Sequence, residues 1–265
     1  MAKPILHFIH ANSFPAGTYR IFFEALRVHY EVRALPLHAH DSRFPIRDGW
    51  RELAGEVMHD LDSRPEHPVI LVGHSMGGIL ALMAAKARPD LVRGVVLLDA
   101  PVVTGWRAAL LRFGKYYNLM GIVSPAKVSA NRRKVWPDSE AAYQHFASKP
   151  LFQRWAYGVL RDYMEWGLVP HTDGVTLRFT REAESAVYRT LPHHIGKIVR
   201  APFPVPVGFI GGIDSDECRR AGLAATRRLA GSHFRFIAGG HLFPMESPGL
   251  AAASVHELIR DMFLA

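Results

Sequence analysis

Residues 73–77 have the sequence Gly-His-Ser-Met-Gly, which matches the Gly-x-Ser-x-Gly pattern of a serine placed for nucleophilic attack. An apolar run at residues 69–73 precedes the motif, and a run of small residues typical of a helix follows it. A sharp turn from strand to helix strains the central residue and exposes its side chain. We therefore predict Ser75 as a nucleophile. A serine that only caps the helix is the alternative.

A serine hydroxyl needs an adjacent base, and the chain has 15 histidines to choose from. His241 lies in the sequence Gly-Gly-His-Leu-Phe-Pro, directly after the last predicted strand. The glycines would let this loop bring the imidazole over the sheet, so we predict His241 as the base. Competing histidines for this role are His7, His10, His74, His193 and His194.

The acid that orients His241 is expected at the end of a strand between the serine and the histidine. Asp214 follows the predicted strand at 205–210 through a glycine pair, and it is the favoured candidate. Asp99 is the runner-up, because it ends the strand directly after the nucleophile helix. Asp216 is a third candidate. A turn or helix-cap role is the alternative for Asp214.

Acyl transfer also needs two donors for the oxyanion that develops on the carbonyl. The backbone N–H of Met76, directly after the nucleophile, is one predicted donor. The second is expected in the loop after the first strand, where we choose the N–H of Asn12. A plain turn is the alternative there, because Pro15 and Gly17 follow. No metal site and no cofactor is predicted.

The elements around these residues follow a regular order. Short β-rich runs alternate with helical patterns through residues 1–102 and 196–265, which favours a parallel sheet with crossover helices. Strands are predicted at residues 5–10, 31–37, 69–73, 94–98, 205–210 and 233–238. Helices are predicted at residues 18–28, 49–61, 76–87, 217–229 and 250–263. The alternation stops at 103–195, where we predict an inserted, mainly helical cap, with further helices at residues 140–146 and 152–166 and a short strand at 175–179.

With these motifs in this order, the chain resembles the α/β-hydrolase superfamily over nearly its full length. It is most similar to the small capped serine hydrolases, such as esterases, cofactor-free haloperoxidases and carbon–carbon bond hydrolases. The resemblance rests on residues 73–78, 211–214 and 240–248. It implies an α/β-hydrolase fold with a sheet of about six strands, a cap, and a triad of Ser75, Asp214 and His241.

Two features depart from the family pattern. His-Ala-Asn stands at residues 10–12, where a His-Gly pair is usual, and the chain begins at what would be the third strand of the family. A serine at the centre of the motif, in place of an aspartate, argues against epoxide-hydrolase and haloalkane-dehalogenase chemistry.

The predicted cap is expected to select the substrate. It contains four of the five tryptophans and six of the eight tyrosines, and it carries most of the formal net charge of +8. This composition favours an aromatic-lined pocket for an acyl or anionic small molecule. Aromatic packing between helices beside a solvated basic face is the alternative interpretation.

The composition of the chain limits the binding partners that we expect. The basic residues are spread out, with one run of three at 132–134, so nucleic acid is not expected. No apolar run reaches the roughly 18 residues that span a bilayer, and no signal peptide is recognisable, so we expect a cytoplasmic protein. Cys218 is the single cysteine and is expected to be an ordinary helix residue. These patterns assign no oligomeric state.

The leading hypothesis is hydrolysis of an ester or related acyl substrate through an acyl-enzyme. Perhydrolysis, lyase chemistry and carbon–carbon bond cleavage on the same triad are alternatives, since a fold can host several reactions. A non-catalytic ligand-binding protein is the alternative of another class, and it would be expected to lack a member of the triad.

Overall fold

Six parallel strands form the central sheet in the computed structural model, which describes residues 3–64, 68–117 and 131–264. The strands are β1 (Ile5–Ile9), β2 (Glu31–Ala34), β3 (Val69–His74), β4 (Val92–Leu98), β8 (Val207–Gly212) and β9 (Phe234–Ile237). Their order across the sheet is β2-β1-β3-β4-β8-β9, and each neighbouring pair is parallel. β3 and β4 are therefore the central strands, side by side.

Helices cover both faces of this sheet, as a parallel sheet requires. Alternate residues of β3 point to opposite faces, so Ile70 and Val72 join one apolar cluster and Leu71 joins the other. The first cluster includes α1 (Arg20–Leu26) and α13 (Pro248–Leu264). The second includes α2 (Arg51–Asp62) and α3 (Met76–Ala87). The apolar composition of residues 69–73 of β3 follows from burial on both sides.

Glycines divide two of the predicted helices. The helix expected at 217–229 forms α10 (Asp216–Ala221) and α11 (Ala224–Ala230), because Gly222 between them has φ +73°. The helix expected at 152–166 forms α6 (Pro150–Gln153) and α7 (Val159–Gly167), where Gly158 has φ +88°. Left-handed backbone of this kind suits glycine and interrupts a helix.

The segment between β4 and β8 contains more β-structure than the sequence predicted. Strands β5 (Val135–Trp136), β6 (Leu168–His171) and β7 (Gly174–Leu177) form an antiparallel sheet in the order β5-β7-β6. The helices of this segment, besides α6 and α7, are α4 (Gly105–Tyr116), α5 (Ser139–Ala147), α8 (Arg181–Arg189) and α9 (Ile195–Ile198). Residues 118–130 of the predicted cap lie outside the described residues.

Aromatic side chains attach this segment to the central sheet. Trp136, Phe146 and Tyr163 belong to the same buried cluster as Phe8 of β1 and Tyr19 of the short 3-10 helix Ala16–Tyr19. The inserted segment therefore shares an apolar core with this face of the sheet, and its residues Phe179, Val187 and Ile195 join the cluster on the other face. Its limits as a separate unit remain a prediction. Within the described ranges, no helix is both long and apolar enough to span a membrane.

Candidate active site

Ser75 occupies the sharp turn between β3 and α3, with φ +53° and ψ −116°. The neighbouring glycines are required by space. A Cβ on Gly73 would come 2.3 Å from the carbonyl oxygen of Gly77, and one on Gly77 would come 2.0 Å from the carbonyl oxygen of Ile9. The backbone N–H of Ser75 donates to the carbonyl of Leu98 at 2.9 Å, which fixes the turn against β4. The motif therefore forms the strained turn that its sequence predicts.

His241 lies in the loop after β9, and its Nε2 is 2.9 Å from Oγ of Ser75. The loop is held by Glu246 of α12 (Phe243–Glu246), whose carboxylate accepts the N–H of Gly240 at 2.9 Å. Gly239 has φ +126°, which explains the need for glycine before the histidine. The structure thus places the predicted nucleophile Ser75 and the predicted base His241 side by side.

The carboxylate beside His241 belongs to Asp99, not to Asp214. Nδ1 of His241 lies 2.6 Å from Oδ2 of Asp99, whereas Asp214 is exposed and makes a backbone hydrogen bond to the carbonyl of Gly239. This corrects the expectation for Asp214. Strand order is the reason, because β4 lies directly beside β3 and delivers Asp99 next to Ser75, while Asp214 follows β8, one strand further away.

Asp99 is fully buried and accepts three further hydrogen bonds. Oδ1 accepts the N–H of Gly212 at 2.8 Å and the thiol of Cys218 at 3.2 Å, and Oδ2 accepts the hydroxyl of Ser215 at 2.5 Å. Ser215 also caps α10 by accepting the N–H of Cys218 at 3.1 Å. Cys218 is thus a helix residue as expected, but its contact with Asp99 was missed. Asp216, the third candidate acid, pairs instead with Arg219.

These contacts shift both titrating groups of the pair. Burial raises the pKa of Asp99. The hydrogen bonds from His241, Ser215 and Gly212 and the charge of His241 lower it by more than burial raises it, so the pKa of Asp99 lies below its ordinary value. Burial lowers the pKa of His241, yet the hydrogen bond to Asp99 and the charges of Glu217, Asp99 and Glu246 raise it above its ordinary value overall. Asp99 therefore stays ionised beside an imidazole that gains protons readily.

Glu217 is a second carboxylate near the imidazole, with Oε2 3.8 Å from Nδ1 of His241. Sequence reasoning missed it, because its approach depends on the start of α10. Together with Asp99 and His241, it forms a group whose potential metal-ligand atoms lie within 4.8 Å of one another. Two of these atoms, Nδ1 of His241 and Oδ2 of Asp99, already share a hydrogen bond, so they are not free ligands in this arrangement. The expectation of no metal stays a prediction.

Both candidate oxyanion donors, Met76 and Asn12, lie beside Ser75 in a cavity of about 80 Å³. Asn12 is nearly buried, and its side-chain amide donates to the carbonyl of Glu184 in α8 at 3.3 Å. The cavity is lined by residues from the loop after β1, from α8, from the loop of the histidine and from the start of α2, among them Phe14, Val187, Tyr188, Leu242 and Trp50.

A second cavity of about 150 Å³ reaches Ser75 from the side of the inserted segment, and its walls are mostly apolar. Its lining includes Ile79, Pro101, Val103, Leu111, Leu191 and Ile195. Several of these residues also line an outer pocket of about 510 Å³, which is lined further by the exposed Trp106 and Leu110 and by Arg107 and Arg220. Pro101, Val103, Leu111 and Leu191 line both spaces, and we call the two spaces together the apolar channel.

A comparison with protein families identifies the chain. The model of the alpha/beta hydrolase family matches residues 8–254. The chain belongs to the alpha/beta hydrolase family. The predicted fold class is thereby confirmed, with its six-stranded parallel sheet and covering helices.

Three individual proteins show similarity to this chain. A protein of Mycobacterium phage D29 named for non-heme haloperoxidases is 25% identical over 262 residues, covering 97% of this chain and 88% of its own. Lipase LipV of Mycobacterium tuberculosis is 52% identical over 42 residues, which are 16% of each chain. The solved structure of E-2-(acetamidomethylene)succinate hydrolase superposes with a TM-score of 0.78 at 21% identity, over 97% of this chain and 92% of that one.

Proposed function

We propose that this alpha/beta hydrolase is a serine hydrolase that cleaves an ester or related acyl substrate through an acyl-enzyme on Ser75. The observation that carries the proposal is the continuous hydrogen-bonded series from Ser75 Oγ to His241 Nε2 at 2.9 Å and from His241 Nδ1 to Asp99 Oδ2 at 2.6 Å. A nucleophile, a base in contact with it and a group that orients the base together define this chemistry.

The direction of proton transfer follows from the donor and acceptor inventory. The Asp99 carboxylate is ionised and can only accept, so Nδ1 of His241 carries a proton and Nε2 has a free lone pair. The hydroxyl of Ser75 then donates to Nε2, and the imidazole takes this proton as Oγ attacks the substrate carbonyl. Asp99 stabilises the imidazolium, which returns the proton to the leaving group. Water activated by His241 then releases the acyl group.

The backbone N–H groups of Met76 and Asn12 are the proposed donors for the oxyanion. The Met76 N–H lies at the start of α3, where the first amides of a helix are free to bind a ligand. In the turn after β1, the N–H of Ala11 donates to the hydroxyl of Tyr19 at 3.2 Å, and the N–H of Phe14 donates to the carbonyl of Ala11 at 3.3 Å. These bonds support Asn12, which comes next after Ala11, as the second donor.

The two cavities support a substrate with one compact end and one apolar arm. The 80 Å³ cavity beside Asn12 leaves room for a small group, whereas the apolar channel past Leu111 leaves room for a longer chain. We propose that the larger apolar part of the ester lies in this channel. The names of the relatives, a lipase and a succinate-derivative hydrolase among them, are consistent with acyl substrates.

Perhydrolysis is the second candidate, favoured by the match to the phage protein over nearly the whole chain. It would use the same acyl-enzyme, with hydrogen peroxide in place of water at the deacylation step. Assays of peracid formation with acetate and peroxide, run beside nitrophenyl ester hydrolysis, separate the two. Rates of hydrolysis at least ten-fold above those of peracid formation are expected.

Covalent labelling tests the proposal directly. A fluorophosphonate probe should label the wild type and the Ser148→Ala variant, which changes an exposed serine of the inserted segment, but not Ser75→Ala. Turnover of nitrophenyl esters should be lost in Ser75→Ala alone. Labelling of Ser75→Ala at the wild-type rate, or turnover retained in that variant, would exclude Ser75 as the nucleophile.

A further inference from the structure

His74, the residue directly before Ser75, is completely buried and binds two groups through its ring nitrogens. Nδ1 lies 2.7 Å from the hydroxyl of Tyr19, and Nε2 lies 2.9 Å from the main-chain carbonyl of His241. The Tyr19 oxygen in turn accepts the N–H of Ala11 at 3.2 Å. Three consecutive hydrogen bonds therefore run from Ala11 through Tyr19 and His74 to His241.

The direction of every bond in this series is determined. A carbonyl can only accept, so Nε2 of His74 must donate to His241. Burial, with a smaller contribution from the charge of His241, lowers the pKa of His74 to about 3, so the ring is neutral and Nδ1 accepts. The Tyr19 hydroxyl therefore donates to Nδ1, and its oxygen lone pair receives the N–H of Ala11. Each buried polar group in the series is satisfied in one arrangement only.

The series joins the three loops that meet at Ser75. Ala11 lies in the turn after β1, next to the proposed donor Asn12, and His74 ends β3 immediately before the nucleophile. His241 lies in the loop after β9, so its carbonyl and its imidazole belong to the same residue. Tyr19 is itself held by aromatic packing, with its ring centroid 4.6 Å from that of Phe8. A shift of either outer loop relative to Ser75 would break one of these hydrogen bonds.

We propose that Tyr19 and His74 are positioning residues that hold the base His241 and the oxyanion turn in register with Ser75. This inference rests on the proposed function, because it assigns them to the same reaction. The hydrogen bonds of these two side chains go to the backbone of Ala11 and His241 and to each other, not to the hydroxyl of Ser75, so they act through these two backbone groups. A neutral histidine serves this purpose because Nε2 can donate to the carbonyl of His241 while Nδ1 accepts from the hydroxyl of Tyr19. It also places no charge beside the imidazole of His241, whose ring centroid lies 5.2 Å from its own.

A matched pair of tyrosine variants separates positioning from simple structural support. Tyr19→Phe removes the hydroxyl that bonds His74 and Ala11. Tyr30→Phe removes another nearly buried hydroxyl that lies 3.0 Å from Nδ1 of a histidine, His256, which belongs to α13 and is remote from the site. We expect Tyr19→Phe to lower kcat about ten-fold with KM near that of Tyr30→Phe, while its thermal midpoint of unfolding should lie lower, because it leaves two buried partners unpaired and Tyr30→Phe leaves one. Tyr30→Phe should keep kcat within about two-fold of wild type.

Variants of His74 provide a second comparison. Glutamine can still donate to the carbonyl of His241, whereas leucine of similar size cannot, so His74→Gln should retain at least about ten-fold more kcat than His74→Leu. The rate of phosphonylation of Ser75 should fall in parallel with kcat, since both need an aligned base. If His74→Leu does not fold, the tyrosine pair and His74→Gln carry the test, with His74→Gln expected between Tyr19→Phe and wild type.

Two outcomes overturn the inference. One is a Tyr19→Phe enzyme whose kcat equals that of Tyr30→Phe, and the other is a folded His74→Leu enzyme with wild-type kcat. Ser75→Ala assayed in the same series distinguishes the inference from the proposed function. If Ser75→Ala retains turnover, the proposed function fails, whereas an inactive Ser75→Ala beside a fully active Tyr19→Phe rejects the positioning role alone.

Discussion

Replacing Asp99 by asparagine tests which carboxylate orients His241. All the groups facing the Asp99 carboxylate are donors, namely the N–H of Gly212, the hydroxyl of Ser215, the thiol of Cys218 and Nδ1 of His241. An asparagine keeps one acceptor oxygen but turns the other into a donor NH2. The oxygen can still receive the Gly212 N–H, so the NH2 falls opposite Ser215 and His241.

The effect of this NH2 group on the imidazole of His241 determines how much kcat should fall. Ser215 can rotate its hydroxyl and accept from the new NH2, but His241 can accept only by moving its proton from Nδ1 to Nε2. That proton would point at Ser75, and the base would lose its lone pair. A tautomer error of this kind costs about 10⁴-fold in kcat, which corresponds to about 5 kcal/mol of transition-state free energy.

The assay is steady-state hydrolysis of a nitrophenyl ester by Asp99→Asn and by the matched control Asp214→Asn, whose side chain is exposed. Asp99→Asn should lose about 10⁴-fold in kcat, and Asp214→Asn should stay within about two-fold of wild type. Addition of Glu217→Gln to Asp99→Asn reports any support from the second carboxylate. A strong loss in Asp214→Asn together with an active Asp99→Asn would refute this reasoning.

Three further changes have defined outcomes. Glu217→Gln removes a negative charge that lies 3.8 Å from Nδ1 of His241 and raises the pKa of this histidine. The acid limb of the pH profile of kcat/KM should therefore move to lower pH, and the shift should be larger at low salt. An acid limb that does not move contradicts the electrostatic role of Glu217. Leu111→Trp narrows the apolar channel, so it should raise KM for a long-chain nitrophenyl ester about ten-fold and leave KM for nitrophenyl acetate unchanged. An equal change in KM for both esters would show that the channel does not bind the acyl chain. Gly77→Ala brings a Cβ against the Ile9 carbonyl and should lower the free energy of unfolding by about 1–3 kcal/mol in urea titrations, while Gly249→Ala, which meets no atom within 4 Å, should not destabilise the protein.

The central strands and the turn at Ser75 are predictable from sequence because their signals are local. Residues 69–73 of β3 are buried on both faces and therefore apolar, and Gly73 is required because a Cβ there would clash with Gly77, four residues further along the chain. Gly158 and Gly222 were visible as glycines, but only the structure reveals their positive φ values, with Gly158 directly before the start of α7 and Gly222 directly after the end of α10.

The choice between Asp99 and Asp214 could not be made from local signals. Both residues follow a strand, and both precede His241 along the chain. What separates them is the order of strands across the sheet, which brings the end of β4 beside Ser75 and covers Asp99 with Ser215 from the next strand connection. Strand order depends on long-range pairing, and a single sequence contains no direct record of it.

The attachment of the inserted segment has a consequence for recombination. Arg154 contacts Glu246 at 3.1 Å, and the N–H of Ala156 donates to the carbonyl of Met245 at 2.9 Å, so this segment supports the helix that anchors the loop of His241. A chimera that exchanged residues 103–195 as a cassette would replace these supports together with the substrate channel. Such a chimera would keep its activity only if residues around 154–156 and residues 239–246 came from the same protein. These two stretches, which are distant in sequence, must therefore be exchanged together.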